Sequence, residues 1–153
     1  MLPAISYGPS GPTRVGRAFV WLWSRYSMLG LPPSWQAALE VRGRRTGEPR
    51  VIPVVVATYD GADFLVSMLG ARASWVQNVR AADGEAVVIH GRRREVRLVE
   101  VDPAERAPII KAYLARAIGG RPHIPVPHDA PVDDFAGVAD DYPVFRIEET
   151  TTE

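Results

Sequence analysis

The chain contains no cysteine. Disulfide staples, thiolate nucleophiles, iron–sulfur ligation and cysteine zinc sites are thereby excluded. It carries no net charge either, because 18 basic residues balance 18 acidic ones. A general nucleic-acid binder needs a basic surface to displace counterions, so that class is set aside. Long hydrophobic runs are missing too. The most apolar early stretch, Ala18-Phe19-Val20-Trp21-Leu22-Trp23, is closed by Ser24 and Arg25, whereas a spanning helix needs roughly 20 apolar residues. The stretch is also too short for a secretory signal and lacks a small-residue cleavage site, so a cytoplasmic location is expected. Lysine is nearly absent: Lys111 stands alone, and every other basic residue is arginine.

What remains describes one ordinary domain over residues 1–153. At 46% hydrophobic it has the material for a core, and 13 glycines with 14 prolines point to many turns and a strand-rich fold. Residues 1–12 read as an extended arm. A helix is expected from Thr13, as N-cap, to about Met28, ended by Gly30 and Pro32-Pro33, so arm and helix occupy 1–35. Its face at Val15, Phe19, Leu22 and Tyr26 is expected to pack on the core. The other reading is a cover over a ligand or a contact with a membrane interface, where Trp and Tyr are favoured.

Alternation over Ala37 to Val41 predicts a strand, and Arg42 to Pro49 a polar turn. Val51 to Tyr59 reads as a strand buried on both faces, with Pro53 marking an edge or bulge. Asp60-Gly61 signals a hairpin, and Phe64 to Leu69 a third strand. Ser74, as N-cap, opens a short helix to Ala82 with Trp75 and Val79 on one face. Glu85 to His90 and Glu95 to Val101 form a second hairpin, with Arg92-Arg93-Arg94 as solvated charge at its tip. Asp102-Pro103-Ala104-Glu105 starts a helix running to Gly119 with a kink at Pro108. Residues 120–131 are an ordered loop, Pro131 to Ala139 a last helix and Tyr142 to Ile147 a final strand. Short connections favour an antiparallel sheet closing into a small barrel.

Neutrality conceals a division. Residues 1–41 carry +2, residues 42–97 carry +4, and residues 98–153 carry −6. The basic excess is densest in Arg42-Gly43-Arg44-Arg45-Thr46-Gly47-Glu48-Pro49-Arg50. Two glycines let this loop turn and expose N–H groups. Arg44, Arg45 and Arg50 offer forked donors, and Thr46 adds a hydroxyl. The segment is too short to track a duplex but fits one small anionic group; a solvated hairpin tip is the plainer alternative. A second cluster follows. Ser67-Met68-Leu69-Gly70 ends a strand, and Ser74 to Arg80, with Trp75 and Asn78, opens a helix, a junction that presents free backbone donors. His123 and His128 lie five apart with Asp129 adjacent, but lack a third ligand, so no metal site is expected.

Taken in order, Gly43-Arg44-Arg45-Thr46-Gly47, Pro49-Arg50, Pro53, the strand ending at Ser67, then Trp75 with Asn78-Val79-Arg80-Ala81 resemble the deazaflavin-dependent nitroreductase family. That family lies within the flavin and deazaflavin oxidoreductases. The resemblance spans roughly 36–101, with Tyr142-Pro143-Val144-Phe145 similar to a closing strand. It implies a mainly β fold, the FMN-binding-like split antiparallel β-barrel with flanking helices, and coenzyme F-420, whose phosphate and oligoglutamate tail make it a polyanion. It further implies that Arg44, Arg45 and Thr46 meet phosphate and tail, with Arg50 in support. Pro53 and Ser67, Met68, Leu69 and Gly70 would line the ring, and Trp75 and Asn78 would close the phosphate end. The stretch Gly70 to Ser74 is shorter than the family pattern.

The implied activity is hydride transfer from the reduced deazaflavin to a small electron-poor acceptor: a quinone, nitroaromatic or activated alkene. No residue stands out as proton donor; Tyr142, Tyr113 and His123 are the weak candidates. FMN in the same fold, and a non-enzymatic cofactor- or lipid-binding protein, are the alternatives. The arginines outnumber what one phosphate requires, which ranks F-420 first. Monomer and homodimer both stay open.

Overall fold

The computed structural model describes residues 7–8, 11–12, 14–30 and 33–150, with side chains from residue 21 onward. Thr13, most of the N-terminal arm and the extreme C-terminus lie outside the described residues. Strands β1 (Tyr7–Gly8) and β2 (Gly11–Pro12) pair with each other, and helix α1 (Arg14–Met28) follows. The main sheet is built from β3 (Gln36–Arg42), β4 (Pro49–Val55), β5 (Ala57–Tyr59), β6 (Ala62–Val66), β7 (Glu85–His90), β8 (Arg92–Glu100) and β9 (Val144–Glu149). Helix α2 (Ser74–Ala81) lies between β6 and β7, and α3 (Ala107–Arg116) and α4 (Val132–Ala136) between β8 and β9.

The seven strands run in the order β4-β3-β7-β8-β9-β6-β5, all antiparallel. β4 and β5 occupy opposite edges, yet only Val56 separates them in sequence. Two residues of chain reach at most about 7 Å, so the two edges must come together. The sheet is therefore curled into a half-barrel, with one extended segment serving both rims: a split β-barrel.

This corrects the single strand expected over Val51 to Tyr59. The run is extended throughout but changes edge at Val56. There its N–H donates to the Trp35 carbonyl at 2.7 Å, and its carbonyl accepts from Arg116 Nη1 at 2.9 Å. Val51 to Val55 are half-buried instead of fully buried, because β4 is an edge. Pro53 sits on that edge, where a missing N–H costs least.

Alternation divides the core in two. Leu65 and Phe145 point into the curl, joining Leu39, Val88, Val96 and Leu98 under α2 residues Val76 and Val79. Phe64, Val66 and Val144 point outward and are covered by Ile109, Ile110 and Leu114 of α3 and by Phe135 of α4. The Asp60-Gly61 hairpin has φ of 51° and 77°, the paired left-handed geometry of the turn best matched to strand twist.

Several expected boundaries move. The strand after this hairpin ends at Val66, because Ser67 to Gly70 form a turn. Ala73, not Ser74, is the N-cap of α2, and no side chain caps it. Asp102 does cap its turn, accepting from Ala104 N–H at 3.0 Å, but that turn is a separate 3-10 segment over Pro103–Glu105. α3 then restarts at Ala107, so Pro108 falls in its first turn and causes no kink, and α3 ends at Arg116 instead of Gly119. Pro at that position loses only an N–H that has no helical partner. Arg92 to Arg94 lie within β8, not at a loose tip.

The face predicted for α1 is also wrong. Leu22 is 61% exposed and Tyr26 is exposed as well, while Ser24 and Ser27 are buried at 4% and 2%; the side chains of Val15 and Phe19 lie outside the described residues. α1 packs on β3, β4 and β7. Its small positions face the protein, and apolarity alone could not reveal that. Neither the Ser24 nor the Ser27 hydroxyl has a partner among the described residues. Ser27→Ala should therefore stabilise by about 1 kcal/mol, raising Tm by roughly 2–4 °C. A lower Tm in thermal melting would show that the hydroxyl contributes a bond.

Candidate functional site

The loop between β3 and β4 is shaped by its own backbone. Gly43 N–H donates to the Glu48 carbonyl at 2.8 Å, Gly47 N–H to the Gly43 carbonyl at 2.8 Å, and Glu48 N–H to Thr46 Oγ1 at 3.2 Å. Gly43 sits in close quarters at the centre: a Cβ there would meet the Glu48 carbonyl at 3.3 Å and both Arg50 Nε and Thr46 Oγ1 at 3.4 Å. Arg50 thus folds back beside Thr46.

The loop is tied to α2 at one point. Asn78 is buried, and its Oδ1 accepts from the Arg44 main-chain N–H at 3.1 Å and from Arg44 Nη1 at 2.9 Å. The sequence placed these residues 34 apart; the fold joins them. Arg44, Arg45, Thr46 and Arg50 are all exposed. None of the three arginines forms an ion pair among the described residues. By contrast, Arg93 pairs with Glu40, Arg94 with Glu149 and Arg97 with Asp83. The two basic clusters of the middle third therefore differ: most of the β8 arginines are neutralised, and those of the loop keep their charge.

The turn after β6 presents the second set. Ser67 Oγ donates to the Gly70 carbonyl at 2.7 Å, and Ser67 N–H to the Pro143 carbonyl at 2.9 Å. Gly70 N–H returns to the Ser67 carbonyl at 3.2 Å. Those groups are engaged in holding the turn. Met68 and Leu69 retain N–H groups without a backbone acceptor among the described residues. Leu69 and Trp75 pack against the inner core, Trp75 lying 5.6 Å from Phe145 between ring centres. Met68 packs against the outer core. Pro53 pairs with Ala38, on the opposite face of β4 from the inward Ile52 and Val54. The fold thus unites Arg44 with Asn78 and Leu69 with Trp75, and it sets Pro53 and Met68 apart.

The three candidate proton donors are not brought to the arginine loop. Tyr113 and Tyr142 belong to the outer core. Tyr142 Oη donates to the His123 carbonyl at 2.9 Å, and burial, with the nearby Asp141 charge, pushes its pKa above the usual phenol value. Burial holds the His123 imidazole below its usual pKa.

Sequence reasoning missed the ion network beneath α2. Arg106 is only 4% exposed. Its Nε donates to the Val101 carbonyl at 2.8 Å, Nη1 to the Ala139 carbonyl at 3.1 Å, and Nη2 to Glu100 Oε2 at 3.1 Å. Glu100 also receives Arg80 through Nε at 3.0 Å and Nη2 at 2.8 Å. The Arg80 hydrogen bond holds the Glu100 carboxyl below its usual pKa, against the opposing effect of burial. A lone arginine at the junction of the 3-10 segment and α3 gives no sequence sign of such a role.

The described residues thus form a split β-barrel whose β3–β4 arginine loop is tied to α2 through Asn78. Residues 25–119, well over half of the chain, match the family described as F420H(2)-dependent quinone reductase. The chain belongs to this family of oxidoreductases. Two solved structures with TM-scores above 0.5 agree on the fold. A protein of unknown function from Agrobacterium tumefaciens superposes with a TM-score of 0.57 at 18% identity, covering 94% of this chain and 58% of its own. This chain thus spans somewhat over half the length of that relative. A protein solved as a domain-swapped dimer gives 0.51 at 15% identity, covering 89% of this chain and 100% of its own. An F-420-H2-dependent reductase, FDR-A, gives 0.49 at 18% identity, covering 74% and 94%. Comparison with curated protein sequences finds no match. No helix among the described residues is long and apolar enough to cross a membrane.

Proposed function

We propose that this protein binds coenzyme F-420 through the arginine loop and passes hydride from it to a small electron-poor acceptor, with a quinone as the first choice. The observation that carries the reading is the set of arginines without an ion pair among the described residues, Arg44, Arg45 and Arg50, on a loop that Asn78 ties to α2. These forked donors fit a phosphate and a row of carboxylates, because charge-assisted and bidentate contacts are the strong ones. Thr46 adds a hydroxyl at the same turn. When bound in its reduced form, the deazaflavin supplies the hydride.

This chain's own part is binding, orientation and exclusion of water. Arg44 and Arg45 hold the anionic tail, and Arg50 and Thr46 grip the phosphate. The main-chain N–H groups of Met68 and Leu69, which have no backbone acceptor among the described residues, would serve a ring carbonyl in preference to those of Ser67 and Gly70, even though the Met68 side chain turns to the outer core. Trp75 walls the phosphate end. With the Tyr142 hydroxyl donating to the His123 main-chain carbonyl, and Tyr113 and Tyr142 packed with the outer core, the reduced acceptor would take its proton from solvent.

A second reading rests on α1. Trp21, Leu22 and Leu29 are 60%, 61% and 67% exposed, and Arg25 lies over the Trp21 ring at 5.4 Å. α1 carries three arginines and no acid. Such a helix suits an apolar acceptor or the interface where one dissolves.

Anaerobic mixing of the protein with reduced F-420 and a soluble quinone tests the activity. Recovery of the oxidised deazaflavin absorbance at a rate above the protein-free control supports the reading. A rate equal to the control, with F-420 bound, would leave a cofactor carrier instead of an enzyme.

A further inference from the structure

Among the described residues one α2 side chain, Asn78, bonds the arginine loop, so what fixes α2 also helps to place Arg44 on a loop otherwise held by its own backbone. Beside the core packing of Val76 and Val79, two contacts tie α2 to the β8–β9 end of the sheet. One is the Trp75 ring against Phe145. The other is the forked pairing of Arg80 with both oxygens of Glu100. Glu100 is the register partner of Phe145, so both contacts arise from the same rung of the sheet. Arg80 lies two residues beyond Asn78 on the same helix. Glu100 is itself immobilised from behind by the buried Arg106, whose other donors hold the carbonyls of Val101 and Ala139.

We infer that Glu100 is a positioning residue for the anion-binding loop: through Arg80 it sets α2, and through Asn78 it sets Arg44. The inference rests on the cofactor reading above and deepens it. A chain of fixed links runs from a buried guanidinium to an exposed one: Arg106, Glu100, Arg80, the last turns of α2, Asn78, Arg44. A negative charge thereby strengthens the capture of a polyanion. Simple charge counting predicts the reverse, since Glu100 neutralises Arg80, and freeing Arg80 would add a cation near the site. The sign of the effect separates the two accounts.

The test measures F-420 affinity by fluorescence quenching for the wild type, Glu100→Gln, Arg80→Gln and the double variant, each with its Tm. Glu100→Gln should weaken binding about tenfold, as should Arg80→Gln, and the double variant should be no weaker than either single one. Arg80→Gln should also leave the salt dependence of binding as in the wild type, because a positioning residue adds no ligand contact to be screened. Unchanged or tighter binding by Glu100→Gln overturns the inference, and so do additive losses. Arg80 is largely exposed, so Arg80→Gln is expected to fold even if Glu100→Gln does not; unchanged affinity in Arg80→Gln then decides against the relay by itself. Failure of the wild type to bind F-420 is a different result, which removes the cofactor reading and the inference with it.

Discussion

Replacing Arg44 and Arg45 together by alanine should weaken F-420 binding by about a hundredfold or more and leave Tm within a few degrees of the wild type. Charge-assisted hydrogen bonds contribute roughly 1.5–3 kcal/mol each, and about 1.4 kcal/mol is a tenfold change in affinity. Two such losses sum to about 3–6 kcal/mol, so a hundredfold corresponds to the lower end of that range. The stability cost is small because both side chains are exposed and neither forms an ion pair among the described residues. Arg44→Ala forfeits one bond to Asn78 Oδ1, but the main-chain N–H keeps the other. Arg92→Ala is the control. It removes an exposed basic residue from β8, the other cluster, and should leave affinity unchanged at physiological salt, where charges beyond about 8 Å are largely screened. Equal losses in both variants would mean that diffuse positive charge, not the loop, captures the ligand.

The second large effect concerns stability. Arg106→Ala should destabilise the fold by about 2–4 kcal/mol, measured by urea unfolding. The substitution strips the Val101 and Ala139 carbonyls of their donor and removes one of the two cations facing Glu100. It also opens space in a site that is 4% exposed. Acid should act on the same network. The Glu100 carboxyl is held below its ordinary value by Arg80, so its contribution is complete above about pH 4.5 and is lost as pH falls through the lowered value in the folded state. The loss of stability on acidification should be shallower in Glu100→Gln than in the wild type. An Arg106→Ala variant as stable as the wild type would show that this buried ion network contributes specificity and no stability.

Much of the architecture was legible because alternation and turn chemistry are local. Asp60-Gly61, the Pro53 edge and the β7–β8 hairpin could be read from a few neighbouring residues. The arginine loop was legible for the same reason: its glycines, hydroxyl and arginines are contiguous. What was hidden is long-range. Nothing in Val51 to Tyr59 signals that the chain changes edge at Val56, since no Gly, Asn or Asp interrupts the run and the switch is set by Trp35 and Arg116. The face of α1 was misread because the helix turns two serines inward and leaves Trp21 and Leu22 exposed. The bonds by which Ser67 holds its own turn, to the Gly70 and Pro143 carbonyls, could not be read from spacing either. The Glu100 network joins residues from α2, β8 and the start of α3, and no spacing in the sequence brings those together.

The central claim is that the loop of Arg44, Arg45, Thr46 and Arg50 binds the polyanionic deazaflavin. Titration of the unsubstituted protein with F-420, and separately with FMN, tests it most directly by fluorescence. The account predicts saturable binding of F-420 with one site per chain and a Kd of about tens of micromolar or tighter, with FMN distinctly weaker because it lacks the carboxylate tail. No saturable F-420 binding in that range, or tighter binding of FMN, would contradict it.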